Sequence, residues 1–529
     1  MTGFILDRRH LLLGAGGLSA VAALPGLAWA QADPLADMDA VAAAFLAEFG
    51  TPGAALGVVR AGRPDWLKGY GVRRLGHPGK VDADTLFAVA SNTKAMTAAL
   101  LAMLVDEKKI AWDDPVTKHL PEAQMYDPAT SAAMTVRDLL THRSGLPLGA
   151  GDLMIWPTTT HTRADVVRGL RHLKPVRGFR TGYDYDNVLY VAAGALIEKV
   201  EGRPWEAVVS ERILKPAGMA TAAPAPSMAP AANLAGRHAR LGGPMYGLGR
   251  MTLVERQETD SFAPAGGVQA SVRDMAAWLR LQLARGVAPD GRRLWSEARA
   301  EEMWTPQTII SSSPGPTAED PSRAMFRTYA LGWNVFDYRG ERVIGHSGGM
   351  NGQITYTAMV PARGLGVVVL TNAEERGVLN GLRNTLLDRL LGASPFDWLG
   401  FYRNSIKAER DKAVAELAAA APTAAAGGPS LPLEAYAGLY RDPWYGDLRV
   451  THGRGGLRVD FLKTTAFKGP LEPWGPDRFR TRFGDPTVED AVLAFRVEGG
   501  RVVEVTAAAL SPLADFSYDF HHLSFTPVS

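Results

Sequence analysis

The chain has 529 residues, 46% of them hydrophobic and 21% charged, which is the balance of a soluble globular protein with room for more than one domain. A formal net charge of +2 gives no electrostatic basis for binding nucleic acid. There is no cysteine, which excludes disulfides and thiolate catalysis, and the 11 histidines form no H-E-x-x-H motif, so we expect no metal site and no cofactor.

Residues 1–30 have the pattern of an export signal. Arg8 and Arg9 precede the apolar run Leu11–Leu27, and Ala28–Ala30 offers a small-x-small cleavage pattern. The arginine pair resembles a twin-arginine signal, with an ordinary secretory signal or an uncleaved anchor as the alternatives. No other stretch has the apolar length of a membrane span, so we expect a periplasmic or secreted protein with no stable membrane span after cleavage.

Residues 31–403 mix short strands with long amphipathic helices. In chain order, periodicity predicts two strands, three helices and two further strands, at Gly53–Arg60, Trp66–Val72, Ser91–Lys109, Val188–Val200, Ser271–Gly286, Gln353–Val360 and Leu365–Asn372. Strands at both ends with helices between them indicate an α+β domain in which the N- and C-terminal strands share one sheet. The helix that starts at Ser91 is so apolar that we expect it in the core.

The pattern changes after residue 403. The composition of residues 404–430 predicts an alanine-rich helix followed by an Ala/Gly/Pro linker. In Leu431–Ser529, alternating strands flank Gly-rich turns, which predicts a separate β-rich domain, either a sandwich or a barrel. Its Trp444, Tyr445 and Trp474 are either core residues or a ligand platform, and a third alternative is that this domain caps the cleft of the first.

The segment GHSGGM, Gly345–Met350, fits G-x-S-x-G and makes Ser347 the first candidate nucleophile. A nucleophile elbow requires a strand before the serine and a helix after it. Here the turn Asn351-Gly352 and the alternating residues Ile354–Thr357 predict a β-hairpin instead. The context therefore argues against Ser347.

Ser91 is the second candidate, in the S-x-x-K tetrapeptide that ends at Lys94. The i, i+3 spacing puts both side chains on one face of a first helical turn, where the helix dipole favours a developing alkoxide. Burial would lower the pKa of Lys94 and allow it to carry a proton. A plain helix start has the same pattern, so this motif alone is weak.

Two further motifs follow. Tyr185 and Asn187 form a Tyr-x-Asn motif just before a predicted helix, and His346–Gly349 supplies H-x-G with glycines that let a substrate backbone approach. A tyrosine near cations can act as a base, and the amide can bind an acyl group. Tyr183 offers a competing register for the base, and Asn187 has a helix N-cap as its alternative role.

S-x-x-K, Y-x-N and H-x-G in this order resemble the penicillin-recognising serine hydrolases, in the branch that holds class C β-lactamases, D-stereospecific peptidases and related esterases. Five spaced segments between residues 37 and 372 share the resemblance: TLFAVASNTK, VRDLLTHRSGLP, YDYDNVLYVAAGALIEKV, PAGGVQASVRDMAAWL and GHSGGMNGQ. It implies a β-lactamase/transpeptidase-like fold, with an antiparallel sheet flanked by helices plus an all-helical region. An accessory β-domain often follows in such hydrolases.

The resemblance also implies roles for the motif residues. Ser91 is the acylated nucleophile, Lys94 its proton partner and Tyr185 the general base that also protonates the leaving group. His346 flanks that tyrosine. The residues implied to contact substrate are Asn187, Gly348 and Gly349, with the backbone N–H groups of Ser91 and Gly349 as the oxyanion hole.

We therefore expect a serine hydrolase that acts through an acyl-enzyme on ester or amide substrates, of the carboxylesterase or D-amino-acid peptidase type. Where many β-lactamases have a lysine in the third motif, His346 is mostly neutral at pH 7, which disfavours binding of a β-lactam carboxylate. The alternatives are a DD-carboxypeptidase or β-lactamase acting on cell-wall peptides or penicillins, and a non-catalytic envelope-binding protein. The expected partner is a small-molecule, peptide or ester substrate, with cell-wall material for the alternatives.

Overall fold

The computed structural model of the protein describes residues 33–419 and 426–528. The predicted export signal, residues 1–30, and part of the predicted linker lie outside the described residues. Within those two ranges no helix has the length and apolar character to cross a membrane. Nor do three or more histidines and acidic residues of the described ranges come together as a metal site would require.

The helices are α1 (Met38–Phe49), α2 (Thr93–Asp106), α3 (Val116–His119), α4 (Pro128–Ala133), α5 (Arg163–Gly169), α6 (Val188–Glu201), α7 (Trp205–Val209), α8 (Ala263–Gly266), α9 (Val272–Leu283), α10 (Glu297–Trp304), α11 (Arg376–Leu391) and α12 (Trp398–Ala419). The strands of the first domain are β1 (Gly53–Arg60), β2 (Trp66–Gly71), β3 (Phe87–Ala88), β4 (Arg237–Gly242), β5 (Gly249–Val254), β6 (Gln269–Ala270), β7 (Thr308–Ser312), β8 (Phe326–Tyr329), β9 (Asn334–Tyr338), β10 (Glu341–Met350), β11 (Gln353–Val360) and β12 (Leu365–Thr371). The strands that follow are β13 (Gly438–Asp442), β14 (Gly446–Gly453), β15 (Gly456–Phe461), β16 (Lys468–Gly475), β17 (Arg478–Thr481), β18 (Ala491–Glu498), β19 (Arg501–Ala509) and β20 (Ser524–Pro527).

Eight antiparallel strands form the central sheet, in the order β2-β1-β12-β11-β10-β9-β8-β7. β1 pairs with β12 from Ala54↔Thr371 to Arg60↔Leu365, so the prediction that N- and C-terminal strands share one sheet is confirmed. β10 and β11 form the predicted hairpin, closed by a turn of two residues between Met350 and Gln353.

The sheet separates two hydrophobic cores. Along β1, Ala54, Leu56 and Val58 face one core, and Ala55 and Val59 face the other, as the two-residue period of a strand requires. α9 packs on β1 and β12 within the larger core, where α2, α6 and α8 also meet. α2 is buried from Thr93 to Leu104, which agrees with the prediction that this helix lies in the core.

The C-terminal strands β13 to β20 close into a barrel, because β20 pairs with both β13 and β19. Of the two architectures that the sequence left open, the barrel is the correct one. Trp444 and Tyr445 are buried, which agrees with a core role, whereas Trp474 is half-buried. Residue 404, where the sequence placed the start of the linker region, lies inside α12, which packs against α11 and α1.

Candidate active site

Ser91 lies on a tight turn, Ala90–Asn92, that leads directly into α2. Ala90 has a φ of 47°, a left-handed conformation that is rare outside glycine and is maintained only by strong surrounding contacts. Asn92 provides such contacts: its amide nitrogen donates to Thr355 Oγ1 at 3.0 Å, and its oxygen accepts from Thr357 Oγ1 at 2.6 Å. Both threonines lie on β11, so the central sheet fixes the position of Ser91.

Lys94 is completely buried one helical turn after Ser91. Its Nζ donates to Ser91 Oγ at 3.0 Å, to Asn187 Oδ1 at 2.7 Å and to the Ala265 carbonyl at 2.9 Å. All three acceptors are uncharged. Burial lowers the pKa of Lys94 to about 7, against the opposing charge of Asp152. A substantial fraction of the amine is therefore neutral at pH 7 and able to accept a proton.

Tyr185 lines the same cavity as Ser91 and lies beside Lys94. Lys94 Nζ lies 4.8 Å from the centre of its ring. Burial raises the pKa of the Tyr185 phenol well above its ordinary value, and a hydrogen bond with the Ser91 side chain opposes that shift only in part. The phenol is consequently protonated in the resting site, and of the two groups Lys94 is the better base. The competing residue, Tyr183, is not among the hydrogen-bond partners of Ser91 or Lys94.

Asn187 links the lysine to a buried carboxylate. It occupies the N-cap position of α6 but makes no capping bond with its side chain. Its oxygen accepts from Lys94, while its nitrogen donates to Asp152 Oδ2 at 2.9 Å. Burial raises the pKa of Asp152 to about 8. Both ends of the Asn187 amide are therefore engaged by the protein, so that its clearest role here is to orient Lys94.

His346 lies on β10, with its ring centre 6.3 Å from that of Tyr185. Nδ1 is 2.5 Å from the Ser347 carbonyl and Nε2 is 2.9 Å from the Tyr329 hydroxyl. A carbonyl only accepts, so Nδ1 carries the proton and Nε2 accepts from Tyr329. Burial, together with the charge of Lys94, lowers the pKa of His346 to about 3. The third motif thus presents a neutral imidazole at pH 7.

The two glycines of the third motif occupy different environments. Gly348 is pressed against the turn before Ser91, since a Cβ there would be 2.2 Å from the Val89 carbonyl oxygen. Gly349 lines the same cavity as Ser91. β9 pairs with β10 only as far as Gly345 in the described structure. The later residues of β10, from His346 to Met350, are therefore not hydrogen-bonded to β9. Ser347 is exposed in the cavity, on a hairpin strand and not on an elbow.

Some residues of the site were not identified from the sequence. The ring of His142 lies 4.2 Å from that of Tyr185 and 4.4 Å from that of Tyr329, centre to centre. His142 has a φ of 52°, and its Nδ1 accepts from the Asp186 N–H at 3.0 Å. It belongs to VRDLLTHRSGLP, one of the segments that carried the family resemblance, and that was the available signal.

The cavity that contains Ser91 has a volume of about 720 Å³. Two segments of the first domain, residues 146–161 and 237–262, contribute to it, through Asp152, Trp156 and Tyr246 among others. The barrel also forms part of its wall. No motif in the sequence signalled this contribution, although capping of the cleft was one of the alternatives left open.

Comparison with known proteins identifies the family. Residues 38–391 match the family model described as Beta-lactamase, and residues 422–527 match a domain of unknown function, DUF3471. The chain is 31% identical over 445 residues to the unguisins hydrolase ungD of Aspergillus violaceofuscus, a match that covers 78% of this chain and 76% of that protein.

Two solved structures support the same fold. The octameric penicillin-binding protein homologue from Pyrococcus abyssi matches with a TM-score of 0.57 and 20% identity, over 92% of this chain and 99% of that one. A class C beta lactamase from Rhodobacter sphaeroides matches with a TM-score of 0.52 and 20% identity, over 67% and 99% of the two chains. The resemblance drawn from the motifs is confirmed: the chain belongs to the beta-lactamase family and is a serine hydrolase.

Proposed function

We propose that the protein hydrolyses ester or amide substrates through an acyl-enzyme on Ser91, as a carboxylesterase or D-amino-acid peptidase. The observation that carries this proposal is the 3.0 Å hydrogen bond between Lys94 Nζ and Ser91 Oγ, in which a buried amine with a pKa of about 7 is the donor. A hydroxyl beside such an amine has a base available at neutral pH.

The proton path follows from the two pKa shifts. Neutral Lys94 accepts the Ser91 proton as Oγ attacks the substrate carbonyl, and the resulting ammonium shares its environment with the Tyr185 ring. Tyr185, protonated and hydrogen-bonded to Ser91, delivers a proton to the departing alkoxide or amine and regains one from Lys94. In the proposal, the backbone N–H groups of Ser91 and Gly349 stabilise the oxyanion.

The charged groups of the cavity favour hydrolysis of esters or amides over hydrolysis of penicillins. A β-lactam carries a carboxylate that needs a cationic partner, and His346 is neutral at pH 7. The cavity also presents carboxylates, among them Glu374, Glu489 and Asp515, and the guanidinium of its Arg376 is paired with Glu409. The name of the unguisins hydrolase relative also denotes hydrolysis, which supports a hydrolytic outcome for the acyl-enzyme.

The proposal is tested by turnover of p-nitrophenyl esters of short acyl chains. Ser91→Ala should reduce kcat/KM by about a thousandfold or more, because the nucleophile is lost. Digestion after treatment with a fluorophosphonate should place the covalent adduct on Ser91 by mass spectrometry. Ser347→Ala, which removes the other candidate hydroxyl from the same cavity, is the matched control and should still be labelled at Ser91. An adduct on Ser347 in the unaltered protein would refute the assignment.

We further propose that the enzyme works in the periplasm or outside the cell, on the basis of the signal pattern in residues 1–30. N-terminal sequencing of the protein from a cell fraction should give a mature chain that begins just after Ala30. A full-length chain retained in the cytoplasm would contradict this.

A further inference from the structure

Two domains build the wall of the active-site cavity. The first domain contributes Ser91, Asp152 and Glu374 among others. The barrel contributes eight residues: Thr487, Glu489 and the six of Leu513–Tyr518, which belong to the connection between β19 and β20. A substrate that reaches Ser91 therefore passes along side chains of the barrel.

The barrel connection is fixed to the first domain by specific polar contacts. Ser517 Oγ donates to Asp152 Oδ2 at 2.8 Å, and Asp519 Oδ2 accepts from the Gly151 N–H at 2.6 Å. Phe516 packs so closely on Gly149 that a Cβ at that glycine would be 2.6 Å from its ring. These contacts hold the connection in the cavity wall.

The carboxylates in this wall have only neutral partners. Glu374 accepts from the Tyr246 hydroxyl at 2.5 Å, Glu489 from the Ser511 N–H at 2.9 Å and Asp515 from the Ser517 N–H at 3.0 Å. Among the described residues none of the three lies within 4.0 Å of a Lys, Arg or His nitrogen. The nearby cations are already paired, Arg376 with Glu409 and Arg237 with Glu258.

A fourth carboxyl group of the cavity, that of Asp152, has one oxygen without a hydrogen-bond partner. Asp152 is 1% exposed, and its Oδ1 has no hydrogen-bond partner. A buried and unpaired carboxylate oxygen is costly unless a ligand compensates it. This oxygen without a partner is independent of Glu374, Glu489 and Asp515, and Asp152 lines the same cavity as Ser91.

Aromatic rings complete this environment. The rings in the wall are those of Trp156, Tyr183, Tyr246, Phe262, Phe516 and Tyr518. Aromatic faces attract an ammonium group and gain little from an anion. Arg376, which pairs with Glu409, also lines the cavity, but carboxylates with no cation beside them and a set of aromatic rings together favour an organic cation.

We propose that the barrel, through Glu489 and the Asp515 of its β19–β20 connection, acts together with Glu374 of the first domain to select substrates that carry a positively charged amine. This inference deepens the proposed function and rests on it, because the amine is taken to be part of the molecule that acylates Ser91. It assigns to the C-terminal domain a direct part in substrate recognition.

The test measures binding separately from turnover. Isothermal titration of the full Ser91→Ala chain compares two pairs of probes, D-alanine anilide with isobutyric anilide and 6-aminohexanoic anilide with heptanoic anilide. Within each pair a methyl group replaces the ammonium. We expect the ammonium member of at least one pair to bind tenfold or more tightly than its isostere. The inference is refuted if neither amine binds more tightly than its neutral counterpart.

Variants locate the recognition. Adding Glu489→Gln and Asp515→Asn to the Ser91→Ala chain should reduce the preference for the amine at least fivefold and leave binding of the neutral isostere unchanged. Glu498→Gln removes a charge from an exposed barrel residue that pairs with Arg496, and it should preserve the preference. A preference that survives the double substitution, or that falls equally with Glu498→Gln, would overturn the proposal.

Measuring ester turnover beside the binding of these probes separates this inference from the proposed function. Ser91-dependent hydrolysis of p-nitrophenyl heptanoate without any preference for amines would leave the proposed function intact and refute the inference. Preference for amines in binding, with no ester turnover by the unaltered chain, would refute the hydrolytic mechanism and retain cation recognition.

Discussion

At the scale of single residues, the reactivity of the site depends on where Lys94 is buried. Its ammonium has three oxygen acceptors and none of them is charged. Because hydrogen bonds to neutral oxygens do not replace the lost hydration of a charge, the protonated form is destabilised and the pKa falls to about 7. The same burial keeps the Tyr185 phenol protonated. Thus one environment produces a base and an acid side by side.

The pH dependence of kcat/KM should report the Lys94 titration. Below a pH of about 7 the amine is protonated and cannot accept the Ser91 proton, so activity should fall about tenfold per pH unit, with a plateau above. Steady-state rates between pH 5 and 9 measure this. Lys94→Arg should lose activity at every pH, roughly 100-fold or more, because a guanidinium stays protonated. Activity that is flat across pH 5 to 7 would contradict the assignment.

Asp152 lies close to Lys94 but should have little effect on that titration. Burial raises the pKa of Asp152 to about 8, so its carboxyl group is mostly protonated over the range in which Lys94 titrates. Asp152→Asn, which is uncharged and retains an acceptor for Asn187, should therefore leave the midpoint of the acid limb in place, as should Glu498→Gln on the barrel surface. A shift of the midpoint to lower pH in Asp152→Asn would show that Asp152 is ionised beside Lys94.

At the scale of elements, the site depends on how closely β10 approaches the turn that carries Ser91. Gly348 faces this turn with no space for a side chain, whereas a Cβ at Gly349 would find its nearest neighbour, Ile354 Cγ2, at 4.0 Å. The two glycines are adjacent in one strand, and they form a matched pair for testing the packing.

Gly348→Ala should destabilise the protein by about 1–3 kcal/mol, because its Cβ would overlap the Val89 carbonyl oxygen and the strand or the turn must move. The rate of fluorophosphonate labelling at Ser91 should fall as well. Gly349→Ala should change the melting temperature much less. Equal melting temperatures for the two variants, measured by calorimetry, would show that the contact between β10 and the turn is softer than the structure indicates.

At the scale of the whole molecule, the two domains share polar contacts close to the catalytic groups. Asp519 is a buried barrel residue that accepts from the backbone of Gly151, next to Asp152. Asp519→Ala would leave that N–H buried without a partner, at a cost of about 1–3 kcal/mol. We expect a lower melting temperature and slower ester turnover from this change. Glu498→Ala, at an exposed barrel position, is the control and should alter neither. Normal turnover in Asp519→Ala would mean that the barrel contact does not support the catalytic groups.

Patterns within short segments predicted much of the first domain. β1 and β11 have the bounds that alternation indicates, and α6 begins at the expected Val188. The helix predicted from Ser271 is also observed, with Ser271 as its N-cap in a capping box with Asp274. These features depend on neighbouring residues, which is why a single sequence reveals them.

Contacts between distant segments were not predictable in this way. Asp152 and Ser517 are 365 positions apart, and nothing in either segment indicates that they meet. The role of Asn187 in linking Lys94 to Asp152 is likewise a product of packing. The motifs pointed to Ser91 and Lys94, which are hydrogen-bonded in the structure, but the wall of their cavity depends on how the barrel docks.

The closure of the barrel by β20 has a consequence for the order of events during synthesis. The connection that lines the cavity precedes β20, and the barrel closes only when β20 joins β13 and β19. Because domains fold in the order in which they leave the ribosome, the first domain is complete while its cavity is still open on that side. During synthesis the chain therefore passes through a stage in which Ser91 and Lys94 are already in place but the wall of their cavity is incomplete, and the barrel completes that wall when β20 pairs.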